Sequence, residues 1–172
     1  MGQLMLGDEL KALPEGVQRV AKALQARNHA HSPVVLDDAC RTAQQAADAL
    51  GIAVGQIAKS IIFRRKSDEA AVLVITSGDR RVDEKKVAAL VGAIGRADAE
   101  FVKVRTGFSI GGVSPVAHLT ESVTLVDADL FRFDEIWAAA GHPHAVFKLK
   151  PQDLEVLAGA PVADVTELLT NG

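Results

Sequence analysis

The chain has 172 residues, a length that fits one domain with a core of its own. Hydrophobic residues make up 48% and charged residues 24%, and the net charge of −3 argues against a general nucleic-acid binder. The single cysteine, Cys40, excludes an internal disulfide and a thiolate zinc cluster and points to a reducing, cytoplasmic setting. No apolar run approaches a membrane span, and the opening "MGQLMLGDELKALP" does not read as a secretory signal.

"PEGVQRVAKALQAR" starts with Pro14 and an acid, then spaces Val17, Val20, Ala21 and Leu24 at helical intervals, which predicts a helix over 15–27. "NHAHSP" breaks it. "VVLD" at 34–37 is a short strand, "RTAQQAADALG" an alanine-rich helix ended by Gly51, and "VGQIA" a connector. "KSIIFRR" and "AAVLVITSG" read as two strands of a hairpin across the charged turn "KSDE". "VDEKKVAALVG" is a helix, acidic at its start and closed by Gly92. "EFVKVRT" alternates apolar and charged residues and reads equally as a strand or as a short helix. "VTLVDADLF" is a strand, "DEIWAAAG" a helical turn, "HAVFKLK" a strand, and "PQDLEVLAGA" a helix from Pro151 ended by Gly159. "PVADVTELL" closes the chain.

No repeat and no Gly/Ser linker divides the sequence. The expected organisation is one domain over 1–172, with an N-terminal helical segment at 1–33 and a core at 34–168. The irregular alternation of strands and helices predicts an α/β (α+β) fold, a mixed sheet with helices around it. Aromatic content is 4% with no tyrosine, which speaks against a base-stacking platform. Charge is uneven: residues 59–105 hold 11 Lys and Arg against 7 Asp and Glu, and the remainder holds 8 against 15. This basic island is either ordinary surface charge or a local phosphate-binding face.

Phosphate-loop, dinucleotide and zinc-protease motifs are all absent. His142 and His144 in "GHPH" lack a third ligand and read as loop or strand-edge residues. Asp37 and Asp38 beside Cys40 disfavour a thiolate. Lys59 heads the strand "SIIFRR" after an apolar run. Its compact ammonium suits a phosphate or carboxylate, although a strand-end lysine reaching into water remains open. In "VRTGFSIGGVSPVAHL", Gly111 and Gly112 permit close approach of a ligand and Pro115 stiffens the exit. Such a loop presents backbone N–H groups to a carbonyl oxygen, or is simply a tight turn.

Four ordered segments, "IAKSIIFR", "VLVITSGDRRVDEKKVAALVG", "TGFSIGGVSPVAHL" and "GHPHAVFKLKPQDLEVLAGAPVADVTE", together resemble the YbaK/EbsC family, which is related to the editing insertion of bacterial prolyl-tRNA synthetases. The resemblance covers roughly residues 40 to 168. It implies a mixed, barrel-like sheet flanked by helices. It also implies trans-editing: hydrolysis of a mischarged amino acid from a tRNA, often tRNA(Pro), without metal or other cofactor. The partners implied are the acceptor end of an aminoacyl-tRNA and, in some cases, a synthetase. The family lysine matches Lys59, expected to hold the terminal phosphate, and the GxxxP loop matches Gly111 to Pro115. Lys59 and Gly111 are therefore the expected catalytic residues, with Gly112, Val113, Ser114 and Pro115 at the substrate. His144 and Val146 fall on the strand that lines the amino-acid pocket in relatives, and Thr42 and Phe63 lie in segments that approach it. Arg64, Arg65, Arg80, Arg81, Lys85 and Lys86 are candidates for tRNA contact, or else a solvated face. Two departures stand out. Ala117 occupies a position where glycine is commoner, and Ser60 follows the lysine where the alanine-editing group has Asn, which puts alanine specificity in doubt. The alternative is a non-catalytic tRNA- or synthetase-binding protein of the same fold. A Schiff-base enzyme at Lys59 leaves the glycine loop unexplained.

Overall fold

Val17, Val20, Ala21 and Leu24 recur every three or four residues, so they form one buried stripe of helix α1 (Glu15–Ala26). The computed structural model describes residues 13–37, 40 and 42–168. The N-terminal opening, Asp38 and Arg41 lie outside the described residues. After α1 come β1 (Val34–Val35), α2 (Ala43–Leu50), a 3₁₀ turn (Val54–Gln56) and the long hairpin β2 (Ile57–Arg65) and β3 (Ala71–Ser77). Then follow α3 (Glu84–Val91), β4 (Ile94–Arg96), α4 (Ala99–Thr106), β5 (Val123–Asp127), a second 3₁₀ turn (Ala128–Arg132), β6 (Ile136–Ala139), β7 (Ala145–Leu149), α5 (Pro151–Ala158) and β8 (Val162–Ala163).

The strands make one mixed sheet in the order β1-β7-β6-β2-β3-β5-β8, with β4 also paired to β2. Every residue of β3 is buried because the strand is central and covered on both faces. Leu73 and Ile75 face one core with α1, α4 and α5, through Val20, Leu24, Val102, Leu154 and Leu157. Val72 and Val74 face a smaller core with Val87 of α3, Leu125 and Val165. This is the mixed sheet with flanking helices that the sequence implies. Its ends stay apart, however: β1 and β8 pair with β7 and β5 and not with each other. The sheet is thus open, and the barrel-like expectation is corrected to that extent.

Two local readings resolve differently. "EFVKVRT" is helical, capped by Asp98, whose carboxylate accepts from Phe101 N–H at 2.8 Å, and ended by Gly107 in the left-handed region. "DEIWAAAG" contains strand β6 rather than a helical turn. Its alanines favour a helix locally, but Ile136 and Ala138 alternate into the core and the strand pairs with β2 and β7.

The two edges of β2 are paired unequally. On one side β3 runs along residues 58–64. On the other, β6 pairs only with Ile57 and Ala58, and β4 only with Phe63, Arg64 and Arg65. Among the described residues, 59–62 have no strand partner on that side, which leaves a gap in the middle of the sheet.

Candidate active site

Because side chains alternate along a strand, register assigns faces. Ile57, Lys59, Ile61 and Phe63 of β2 share a face with Trp137 and Ala139 of β6 and Val146 of β7. Thr76, opposite Lys59 on β3, lies on it too. Ala58 and Ile62 point to the other face, into the larger core.

Lys59 is partly buried, and its ammonium makes no hydrogen bond or ion pair among the described residues. Burial pushes its ammonium below the usual lysine range; Asp79 opposes that shift and Arg81 adds to it. Asp79 is held by Arg132 at 2.7 Å, so it does not neutralise Lys59. An anion placed against Lys59 would relieve the cost of its partial desolvation. Lys59 lines a groove of about 210 Å³ with Ile61, Phe63, Arg81, Val82 and Glu84.

The GxxxP loop lies across the gap in β2. Gly111, with Val113 and Ile110, lines a second cavity of about 160 Å³ together with Ser60, Ile61, Ile62, Ala97 and Val102. Ile61 lines both spaces, so the lysine groove and the loop cavity flank this residue at the unpaired edge of β2. Gly111 has φ 90°, a conformation that strains any residue with a Cβ. A Cβ on Gly112 would sit 2.8 Å from the His142 backbone, so the loop packs directly on the 141–144 turn. Gly112 N–H is used within the loop, donating to Ser109 O at 3.0 Å. The N–H groups of Gly111, Val113 and Ser114 meet no acceptor among the described residues. Gly111 and Val113 line the cavity, so theirs are the donors such a loop would keep for a ligand; Ser114 is fully buried and does not line it.

Ser114 is fully buried, and its hydroxyl accepts from Val116 N–H at 3.2 Å. His118 uses both ring nitrogens, with Nε2 at 2.6 Å from Ser114 O and Nδ1 at 2.8 Å from Ser122 Oγ. A carbonyl can only accept, so Nε2 carries the proton and Nδ1 accepts from the serine. Burial holds the imidazole below its ordinary range. The two polar side chains of the loop therefore hold its shape.

His144 donates from Nδ1 to the Cys40 carbonyl at 3.0 Å, and its own carbonyl accepts from Leu36 N–H at 2.6 Å. This ties the segment before α2 to the turn under the GxxxP loop. Thr42 serves as the cap of α2: its hydroxyl accepts from Gln45 N–H, and the Gln45 side chain accepts from Thr42 N–H, both at 3.1 Å. Phe63 lies in the lysine groove, apart from the loop cavity.

The six basic residues separate into two groups. Arg64 pairs with Glu69 and Arg65 with Asp68, each at 2.8 Å, closing the turn of the hairpin. Arg80 pairs with Asp129 at 3.0 Å, and Lys86 with Asp164 at 3.0 Å. Arg81 and Lys85 have no ion pair among the described residues, and Arg81 stands in the groove with Lys59.

A model of the aminoacyl-tRNA editing domain matches residues 37–157. The chain belongs to the aminoacyl-tRNA editing domain family. An uncharacterized protein of Bacillus subtilis, YwhH, is 32% identical over 114 residues, 66% of this chain and 72% of that one. The proline–tRNA ligase of Lactobacillus acidophilus is 36% identical over 84 residues, 48% of this chain but only 14% of the ligase. A solved structure provisionally described as a trans-editing enzyme for prolyl-tRNA synthetase superposes with a TM-score of 0.85 at 42% identity, covering 91% of this chain and 99% of that one. The family and these relatives support an editing role.

One residue of this editing domain escaped the sequence reading. Arg19 of α1 donates to the carbonyls of Thr106 at 3.1 Å, Gly107 at 3.2 Å and Ala117, and its guanidinium lies 4.5 Å from the Phe108 ring centroid. It clamps both ends of the GxxxP loop from a helix nearly ninety residues earlier. Its only sequence signal is a charge between Val17 and Val20, one residue off the buried stripe. A further cavity of about 350 Å³ lies at the far end of β7, among His29, His31, Lys148 and Asp153. Its charges are engaged in structure: Lys148 pairs with Glu135 at 3.1 Å, and Asp153 accepts from Lys150 N–H at 2.9 Å.

Proposed function

We propose that the chain is a trans-acting editing hydrolase that removes a small, wrongly attached amino acid from the 3′ end of a tRNA, tRNA(Pro) or a related one. The observation that carries this reading is the pairing of an unpartnered lysine with a loop of free N–H groups on either side of the gap in β2. Lys59 holds the phosphate of the terminal nucleotide as a charge-assisted partner. The ester carbonyl lies against the Gly111–Ser114 backbone. Water attacks the carbonyl carbon, assisted by a ribose hydroxyl, and the negative charge that forms on oxygen is met by the N–H groups of Gly111 and Val113. Collapse breaks the bond to the ribose oxygen, which takes up the proton given by the water. The products are a free amino acid and an uncharged tRNA.

An ester is an activated bond, so positioning and charge stabilisation carry the rate. Ser114 and His118 are not needed as nucleophile and base, because their polar atoms are committed to the loop. The loop cavity of about 160 Å³ is large enough for a benzene ring, so its volume alone does not select among small side chains. One methylene there is worth about 1–3 kcal/mol of discrimination, so neighbouring substrates such as Ala, Ser, Thr, Cys and 2-aminobutyrate are separated only modestly.

The test is deacylation of a panel of mischarged tRNAs carrying those five amino acids. At least one should be hydrolysed, Lys59→Ala should lose activity by about 10- to 100-fold with its fold intact, and Ser114→Ala should lose far less. Wild-type activity in Lys59→Ala, or a loss in Ser114→Ala as deep as in Lys59→Ala, contradicts this assignment. Binding of charged tRNA with no hydrolysis anywhere in the panel identifies an accessory binding protein instead.

A further inference from the structure

The lysine groove holds more than a phosphate site needs. Its floor is apolar, made by Ile61, Phe63 and Val82, and Phe63 gives it an aromatic ring. Two cations, Lys59 and Arg81, and one carboxylate, Glu84, line it, yet no ion pair joins them and none has a salt-bridge partner elsewhere among the described residues. Unpaired opposite charges around an apolar floor are what a ligand with an anionic end, a flat face and a hydrogen-bond donor requires. Lys59 and Phe63 lie four residues apart on one face of β2, about 13 Å. That separation leaves room for a phosphate at one end and a base at the other.

We propose that this groove binds the nucleotide on the 5′ side of the terminal phosphodiester, with its base on Phe63 and its exocyclic amine donating to Glu84. The inference rests on the editing reading above. A phosphodiester joins two nucleotides. If Lys59 and Arg81 hold the last one, the terminal ribose passes over the gap in β2 toward the GxxxP loop, and the preceding nucleotide is left along the groove. Transfer RNAs end in cytidine, cytidine and adenosine, so the base in question is cytosine. A carboxylate accepting from its N4 amine is the pairing that distinguishes it from uracil, which presents a carbonyl there. The sequence-level objection that aromatic residues are scarce does not apply, because one ring suffices for one base. Phe63 thus serves the tRNA end rather than the amino-acid pocket.

The experiment is titration calorimetry with uncharged oligonucleotides ending in CCA or CUA, which does not depend on hydrolysis. Wild-type protein should prefer CCA by about fivefold to tenfold. Phe63→Leu, which keeps an apolar side chain without a ring, should weaken both by about tenfold. Glu84→Gln, at an exposed residue, should bind both equally, because an amide can accept from cytosine or donate to uracil. Equal wild-type affinity for the two oligonucleotides, or unchanged discrimination in Glu84→Gln, overturns the proposal. So does unchanged affinity in a folded Phe63→Leu. Deacylation by wild type alongside such a result leaves the editing reading standing and removes only this one; no deacylation with the expected binding pattern does the reverse.

Discussion

Ala117 has φ 66°, in the left-handed region that a Cβ disfavours, and its carbonyl is one of the three that Arg19 grips. The resemblance implies glycine at this position, and the backbone angle is one that glycine adopts without strain. Ala117→Gly should therefore raise stability by about 0.5–1 kcal/mol, read as a higher urea midpoint with unchanged slope. A lower midpoint would show that the alanine methyl contributes packing that outweighs its backbone strain. The same scale separates Lys59 from most of its charged neighbours. Arg64, Arg65, Arg80 and Lys86 are structural ion pairs, and only the three-dimensional partners distinguish them from Arg81 and Lys85. Sequence spacing makes all six look alike.

At the scale of elements, the GxxxP loop depends on parts of the chain far from it. It rests on the 141–144 turn through Gly112, and it is pinned at both ends by Arg19 of α1. Removing the guanidinium takes a donor from three carbonyls, of which Thr106 O keeps Leu119 N–H at 3.1 Å and Gly107 O keeps Lys103 Nζ at 3.3 Å. Arg19→Ala should cost about 2–3 kcal/mol of stability and lower kcat for deacylation more than it raises KM. Arg19→Lys should recover less than half of the loss, because one ammonium cannot reproduce the planar fork or its stacking on Phe108. Full recovery by lysine would mean that charge alone matters at this point. One element that the sequence left open and one that it misread show the same dependence on surroundings. In "EFVKVRT" an Asp98 cap and a Gly107 stop settle a helix that alternation left open. In "DEIWAAAG" pairing with two neighbours overrides the helical preference of alanine.

For the whole molecule, the coupling of stability to pH runs through Asp127 at the end of β5. It is 1% exposed, and one carboxylate oxygen has no partner among the described residues. Burial pushes its pKa up from 3.8 to about 6, Asp129 and Asp164 add to the shift, and the N–H groups of Asp129 and Val165 oppose it. A raised folded-state value means that the folded form binds the proton more tightly. Its contribution is fully present below about pH 4 and is lost as pH rises through about 6. His118 acts in the opposite sense: burial lowers its pKa, so acidification below its ordinary value of 6.5 costs stability. Asp127→Asn should raise stability at pH 7 by up to about 3 kcal/mol and make the protein more acid-sensitive between pH 6 and 4 than wild type. Chemical denaturation at pH 4, 5, 6 and 7 measures both, and a variant less stable than wild type at pH 7 would refute the assignment.

The sequence by itself determined the local elements whose signals are local: the stripe of α1, the β2–β3 hairpin, the capped helices, and α5 opening at Pro151 and closing at Gly159. It also marked Lys59 and Gly111 to Pro115, but the residues alone left a strand-end lysine and a tight turn open, and the resemblance of four ordered segments made them site candidates. Only the tertiary structure decided that the sheet is open, that one edge of β2 lacks a strand partner over residues 59–62 among the described residues, and that the lysine groove and the loop cavity both border Ile61. It alone assigned Phe63 to the groove, Thr42 to a helix cap and Arg19 to the loop. These depend on which strands and carbonyls meet across long stretches of chain, and that outcome is set by burial and hydrogen-bond satisfaction summed over the whole fold.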